Sequence, residues 1–280
     1  MNPGAAVLYV PASKERALAK ACDLHATAFI FDLEDAVSPA AKVAARETLR
    51  RCWTKDCARP RAIRINGIGT EHFTEDLLLA RKLTPNAIVL PKVGSADDLR
   101  VLETALAETD APTDLAIWAM IETARGVLDL ASIARQGGRL TTLVAGTNDL
   151  VAETSVSVAG GRGYLHTWLL QIVLAARANG LHAIDGVTNA FRDETTVANE
   201  AREAAALGFD GKTLIHPDQI APTLQAFRPT DDRLAEARAI VQAFGNLPSN
   251  VGVTTVNGRL VERLHLMAAQ RDLAKIGQVE

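Results

Sequence analysis

Two carboxylates that end apolar runs are the residues of this sequence best placed to do chemistry. Seven apolar residues, Leu115 to Ile121, are followed at once by Glu122, and Leu143-Val144-Ala145 is followed by a small-residue turn and Asp149. An unbroken apolar run reads as a strand buried on both faces, so the acid after it stands at the strand's C-terminal end. Two such acids, with no histidine at either end, suit Mg2+, which takes one or two carboxylates and leaves room for water and substrate oxygens; zinc is disfavoured. The competing reading, two acids capping helix N-termini, needs no metal.

A second acidic group follows another apolar run in Phe31-Asp32-Leu33-Glu34-Asp35-Ala36-Val37. Three acids in four residues repel one another and call for cations, supplied by Lys42 and Arg46 or by a metal. Arg64 and Asn66 alternate with Ile63 and Ile65 and so share a strand face. An arginine at a strand end points into the site, as a partner for Glu34 or Asp35 or as a charge for a reacting group. The helix beginning near Thr123 and Ala124 offers amides for a substrate carboxylate. Pro91-Lys92 ends a further run and is weaker evidence. His216-Pro217 reads equally as a base or as a strand-to-helix turn. Two phosphate-loop imitations fail, because Ala206 stands where the P-loop's first glycine belongs and His72 where a dinucleotide turn needs its third.

Positioning these residues takes regular alternation. Strand candidates are Ala6 to Val10, Ala28 to Asp32, Ala62 to Asn66, Ala87 to Pro91, Leu115 to Ile121, Thr142 to Ala145, His182 to Gly186 and Thr213 to His216. Helical stretches separate them: 14–22, 40–52, 75–83, 96–107, 124–136, 165–179, 194–207 and 217–227. Eight strand-helix units spell an α/β fold, a (β/α)8 TIM barrel, with its chemistry on the loops after the strands. A doubly wound sheet alternates in the same way, so this reading depends on the count of eight. Residues 1–244 form the expected barrel and 245–280 a small C-terminal extension: a loop, a β-rich stretch to Val256, a turn at Asn257-Gly258 and a helix from Leu260 to Lys275.

Composition is that of a globular enzyme, 48% hydrophobic and 22% charged over 280 residues. The net charge of -3 argues against nucleic acid or a membrane surface as partner. No apolar run reaches the length of a membrane span, and no secretory signal pattern opens the chain, so a cytoplasmic location is expected. Cys22, Cys52 and Cys57 leave one thiol over in any pairing and read as reduced structural cysteines.

Seven segments together resemble the citrate lyase β-subunit-like and malyl-CoA lyase family of Mg2+-dependent acyl-CoA lyases. They are Tyr9-Val10-Pro11, Phe31 to Val37, Arg64-Ile65-Asn66, Pro91-Lys92-Val93, Ile121-Glu122-Thr123, Gly146 to Leu150 and Gly211 to Pro217. The resemblance implies Mg2+ on Glu122 and Asp149, Arg64 at the acyl thioester, Asn66 and Thr123 at the substrate, and coenzyme A phosphates on Lys14, Arg16 and Lys20. It also implies a homotrimer whose C-terminal tail packs over a neighbour's barrel mouth. The family's tail turn carries an aspartate before glycine, and Asn257 stands in that place here.

The chemistry itself needs a Lewis acid for a 2-oxo acid, a cation for a thioester enolate and a base for a hydroxyl. The base is left to Glu34, Asp35 or a metal-bound hydroxide. A lyase for malyl-CoA or citramalyl-CoA is therefore expected. The alternatives are a citrate lyase β-subunit acting on a citryl thioester of an acyl carrier protein, a CoA-ester binding protein without turnover, and a pyruvate aldolase.

Overall fold

The computed structural model describes residues 2–54, 57–248 and 251–274. Eight parallel strands close into one barrel: β1 (Ala6–Pro11), β2 (Ala28–Asp32), β3 (Arg61–Arg64), β4 (Ala87–Leu90), β5 (Ala116–Ile121), β6 (Leu140–Ala145), β7 (His182–Asp185) and β8 (Gly211–Leu214). Each pairs with its neighbour in the chain, and β8 returns to β1. Between them run α1 (Glu15–Ala21), α2 (Lys42–Cys52), α3 (Phe73–Leu83), α4 (Ala96–Glu108), α5 (Ala124–Leu128), α6 (Leu130–Arg135), α7 (Thr147–Thr154), α8 (His166–Ala178) and α9 (Glu194–Leu207). α10 (Ile220–Phe227) follows β8. The expected eight-unit count and order are found.

Side-chain alternation decides what meets inside the barrel. Val7, Ala28, Ile30, Ala62, Ala87, Val89, Ala116, Trp118, Met120, Val144 and Ile184 form one buried cluster with Tyr9 against it. Alanines on four strands make room for Trp118, a small-against-large fit that fills a closed barrel. The same alternation carries Asp32 beyond Ile30 and Arg64 beyond Ala62, at the C-terminal rim.

The chain divides into two compact units, 1–223 and 224–280, a boundary earlier than the expected 244. The reason is α11 (Asp231–Gly245), which the sequence reading left out. Its buried stripe of Ala237, Ile240 and Phe244 packs with Val261 and Ala269 of the tail, and Arg233 forks onto Asp272 at 2.6 and 3.1 Å. Within that unit β9 (Val253–Val256) pairs antiparallel with β10 (Arg259–Glu262) before α12 (Arg263–Ala274). Leu260 thus opens on a strand, because Asn257 and Gly258 at φ +49° and +75° form a tight hairpin turn that returns the chain onto β9. The predicted helix 124–136 breaks at Asp129 into α5 and α6.

One further expectation is corrected. Cys22 and Cys57 form a disulfide, their Cα atoms 5.4 Å apart, and Cys52 is the free thiol. The end of α1 and the segment after α2 bring together cysteines that lie 35 residues apart.

Candidate active site

β2 and β3 pair in a register that sets Asp32 beside Arg64. The Arg64 guanidinium donates to both Asp32 oxygens, at 2.7 and 2.6 Å, and lies 4.8 Å over the Tyr9 ring. Its remaining nitrogen is 3.0 Å from Glu34 and 3.7 Å from Asp35. Burial opposes the charge, yet Asp32 holds the Arg64 pKa well above its ordinary value. Asp32 is fixed in turn by the Glu34 and Ala36 amides, at 2.8 and 3.0 Å. Arg64 is therefore locked in place before any substrate arrives.

The cations foreseen for the acidic loop take other posts. Lys42 donates to the carbonyls of Leu33 and Glu34, at 3.0 and 2.9 Å, and so clamps the loop's backbone. Arg46 pairs with Asp76 at 3.0 Å. The charges that meet Glu34 are Arg64 and Lys92, the latter at 3.3 Å. Asn66 spends its amide donors on Asp76 and the Leu33 carbonyl, tying the end of β3 to α3 and to the acidic loop.

Glu122 follows β5 directly and is 1% exposed. One oxygen accepts the Lys92 amide at 2.7 Å; the other is buried and accepts no hydrogen bond among the described residues. Burial, and then the charge of Asp149, push the Glu122 carboxyl up to about 7. Asp149, in the first turn of α7, is also raised, by burial and by Asp35, and burial raises Glu34. Gly146, at the cap of α7, makes the fit possible, since a Cβ there would lie 2.4 Å from the free Glu122 oxygen. α7 is missing from the sequence reading because Gly146-Thr147-Asn148 looks like an ordinary turn; it is the helix start that delivers Asp149.

Tyr9, Asp32, Asp35, Arg64, Glu122 and Asp149 are among the residues lining a cavity of about 250 Å3. A larger one, about 480 Å3, is lined by Glu34, Asp35, Lys42, Asn66, Pro91 and Lys92 among others. Asp35 lines both. Around the rim five carboxylates, Asp32, Glu34, Asp35, Glu122 and Asp149, face two basic groups, Arg64 and Lys92. A divalent cation fits this excess, and the orphaned Glu122 oxygen is the donor without other employment. No group of three or more His, Cys, Asp or Glu side chains gathers for a metal among the described residues. A hard cation such as Mg2+ does not need three protein ligands, since one or two carboxylates with water suffice to hold it.

A family model described as HpcH/HpaI aldolase/citrate lyase matches residues 5–217, which hold all eight barrel strands. The chain belongs to the HpcH/HpaI aldolase/citrate lyase family. Within that family it is 43% identical to a (3S)-malyl-CoA thioesterase of Cereibacter sphaeroides, over 98% of this chain and 95% of the relative. It is 29% identical to the mitochondrial citramalyl-CoA lyase of Mus musculus, over 96% and 84%. Among solved structures, protein CitE from Mycobacterium tuberculosis in complex with magnesium, acetoacetate and coenzyme A superposes with a TM-score of 0.81 at 34% identity, covering 98% of both chains.

The remaining predicted site residues lie further out. Lys14, Arg16 and Lys20 are exposed on and before α1. Thr123 caps α5, accepting from the Gly126 amide at 3.0 Å, and the Ala124 amide is taken by Glu153 at 3.1 Å. The amide foreseen for a substrate is thus engaged. His216 accepts the Asp218 amide and stacks on Phe191, at a ring distance of 4.9 Å, which is the structural alternative of its two readings. Tyr9 and Asp32 are site-lining residues that the sequence reading does not single out. Their signal was the alternation that puts Val7 and Tyr9, and Ile30 and Asp32, on the inner face.

Proposed function

We propose that this protein is a Mg2+-dependent carbon-carbon lyase. It cleaves a 3-hydroxyacyl-CoA of the malyl-CoA or citramalyl-CoA type into acetyl-CoA and a 2-oxo acid. The observation that carries the reading is the buried, unpartnered oxygen of Glu122 within a carboxylate cluster that outnumbers its cations. The magnesium, acetoacetate and coenzyme A of the related CitE structure support it. Bound by Glu122 and Asp149, Mg2+ would supply a Lewis acid for the oxygens of the 2-oxo acid.

The chain's own groups do the rest. A carboxylate of the acidic loop, Glu34 or Asp35, takes the hydroxyl proton. The C2–C3 bond breaks, C3 becomes the carbonyl carbon of the oxo acid, and the bonding pair moves into the thioester as an enolate. Arg64, fixed by Asp32, faces that developing charge at no reorganisation cost. The proton taken from the hydroxyl, returned to C2 directly or through solvent, then gives acetyl-CoA and restores the carboxylate. We assign the thioester's pantetheine arm to the larger cavity, which has Asn66 on its wall, with Thr123 beside Glu122 at the substrate and the exposed Lys14, Arg16 and Lys20 as phosphate partners.

Hydrolysis of the same thioester is a second reading, favoured by the 43% identity to a (3S)-malyl-CoA thioesterase against 29% to a lyase. Incubating the protein with (3S)-malyl-CoA and Mg2+ and separating the products decides between them. Acetyl-CoA plus glyoxylate marks the lyase, and free CoA plus malate marks hydrolysis. Either activity surviving excess EDTA refutes the metal reading.

A homotrimer with the C-terminal unit as lid on a neighbour's barrel is the assembly we propose. Leu170 and Leu174 on α8, 47% and 70% exposed, support association. Light scattering of the eluting peak tests it. A CoA thioester as substrate accords with a cytoplasmic site of action.

A further inference from the structure

Lys92, two residues beyond β4, holds φ at +54°, in the left-handed region that side-chain-bearing residues occupy under strain. Glycine would take that backbone freely and would supply no ammonium. The conformation turns both ends of Lys92 toward the carboxylates. Its amide donates to Glu122 at 2.7 Å, while its ammonium stands 3.3 Å from Glu34 and 4.0 Å from Asp149. Glu34 has only 7% of its side chain exposed, against half for Lys92 and 37% for Asp149. The ammonium therefore sits at the mouth, between one acid of the clamp and one acid of the loop.

We infer that Lys92 is a positioning residue that acts as an internal stand-in cation. It holds Glu34 and Asp149 in place in the metal-free protein and competes with the divalent cation for Asp149. This rests on the reading that Glu122 and Asp149 hold such a cation. Two effects of losing the ammonium then act in one direction. A positive charge no longer repels the incoming metal, and Asp149 is left facing the charges of Asp35 and Glu122 until the metal comes. Removing the charge should tighten metal binding, the opposite of what loss of a structural support would do. The effect is modest because the ammonium is half-exposed.

The experiment titrates the metal-free protein with Mn2+ and reads free Mn2+ by electron paramagnetic resonance, with no turnover involved. Lys92→Met should bind about five- to tenfold tighter than wild type, and Lys92→Arg close to wild type. Lys92→Gly keeps the backbone amide, relieves the strained φ and should also bind tighter, which guards against a misfolded Met variant. Metal-free Lys92→Met should melt below wild type at low salt and draw level at saturating Mn2+. Wild type that binds no Mn2+ refutes the clamp itself. Wild type that binds, with Met and Gly variants of equal or weaker affinity, overturns the stand-in role alone.

Discussion

Replacing Glu122 by Gln should disable the enzyme and stabilise its metal-free form, and the stabilisation should depend on pH. In the fold the Glu122 carboxyl titrates near 7 against 4.5 unperturbed. For an acid whose folded pKa is raised, the folded state binds the proton more tightly. Stability is greatest below the unfolded value, falls as pH rises from 4.5 to 7, and stays reduced above 7. A shift of this size corresponds to a penalty of about 3 kcal/mol at pH 8 and under ~1 kcal/mol at pH 5. Gln removes it while keeping an oxygen for the Lys92 amide. Its buried NH2 costs ~1–3 kcal/mol where no acceptor waits, but that cost is the same at both pH values and cancels in the difference.

Urea unfolding in EDTA at pH 5 and pH 8 measures it. Trp53, Trp118 and Trp168 all lie in the barrel unit, so fluorescence follows the barrel alone. The gain of the variant over wild type should be larger at pH 8 by about 2.5 kcal/mol, with Mg2+ binding lost. A gain that is equal at the two pH values would mean that Glu122 is not held against its charge, and the argument for an orphaned metal ligand would fall.

Other perturbations probe other parts of the machinery. Gly146→Ala puts a Cβ 2.3 Å from the Glu122 Cβ, so the ends of β5 and β6 must separate by ~1 Å. We expect kcat/KM to fall about 100-fold with ~1–3 kcal/mol of stability lost, and unchanged kinetics would contradict the close packing. Asp32→Asn leaves the Arg64 guanidinium buried with its bidentate partner gone; a loss of about 3 kcal/mol by thermal melting, together with the activity, is the expected outcome. Asp210 reports on the scaffold. Against burial, His182, Arg177 and the Ala183 amide pull its carboxyl to about 2. That stability is present above 3.8 and lost as pH falls through 2, so Asp210→Asn should cost about 2 kcal/mol at pH 7 and under ~0.5 kcal/mol near pH 2.

Residues whose role depends on strand position were legible in the sequence, and those whose role depends on cross-strand register or helix packing were not. Glu122 and Arg64 could be placed because an apolar run and an alternation fix which end and which face they occupy. Alternation puts Asp32 on the inner face, but that Arg64 is its partner depends on the pairing of β2 with β3, which no local pattern encodes. Nearness in sequence marks Lys42 and Arg46 as cations for the acidic group but not their partners, since their reach depends on how α2 lies against the acidic loop and α3. α11 was omitted although its apolar spacing is helical; its importance emerges only from the tail it packs with. The Cys22–Cys57 bridge likewise depends on the distance between two helix ends.

The acids at this rim differ in how they are satisfied, and the difference sorts their roles. Asp32 has a bidentate arginine and two backbone amides, so it is a fixture. Glu34 shares Arg64 and Lys92 yet is still pushed up by burial, so its charge is only partly compensated. Glu122 has one amide and one bare oxygen in a buried position, an arrangement that destabilises the protein unless a cation completes it. A fold selected for stability alone would have no use for that oxygen. The rim acids therefore run from a fully satisfied Asp32 to an unsatisfied Glu122, which on the proposed reading is the order from scaffold to metal ligand.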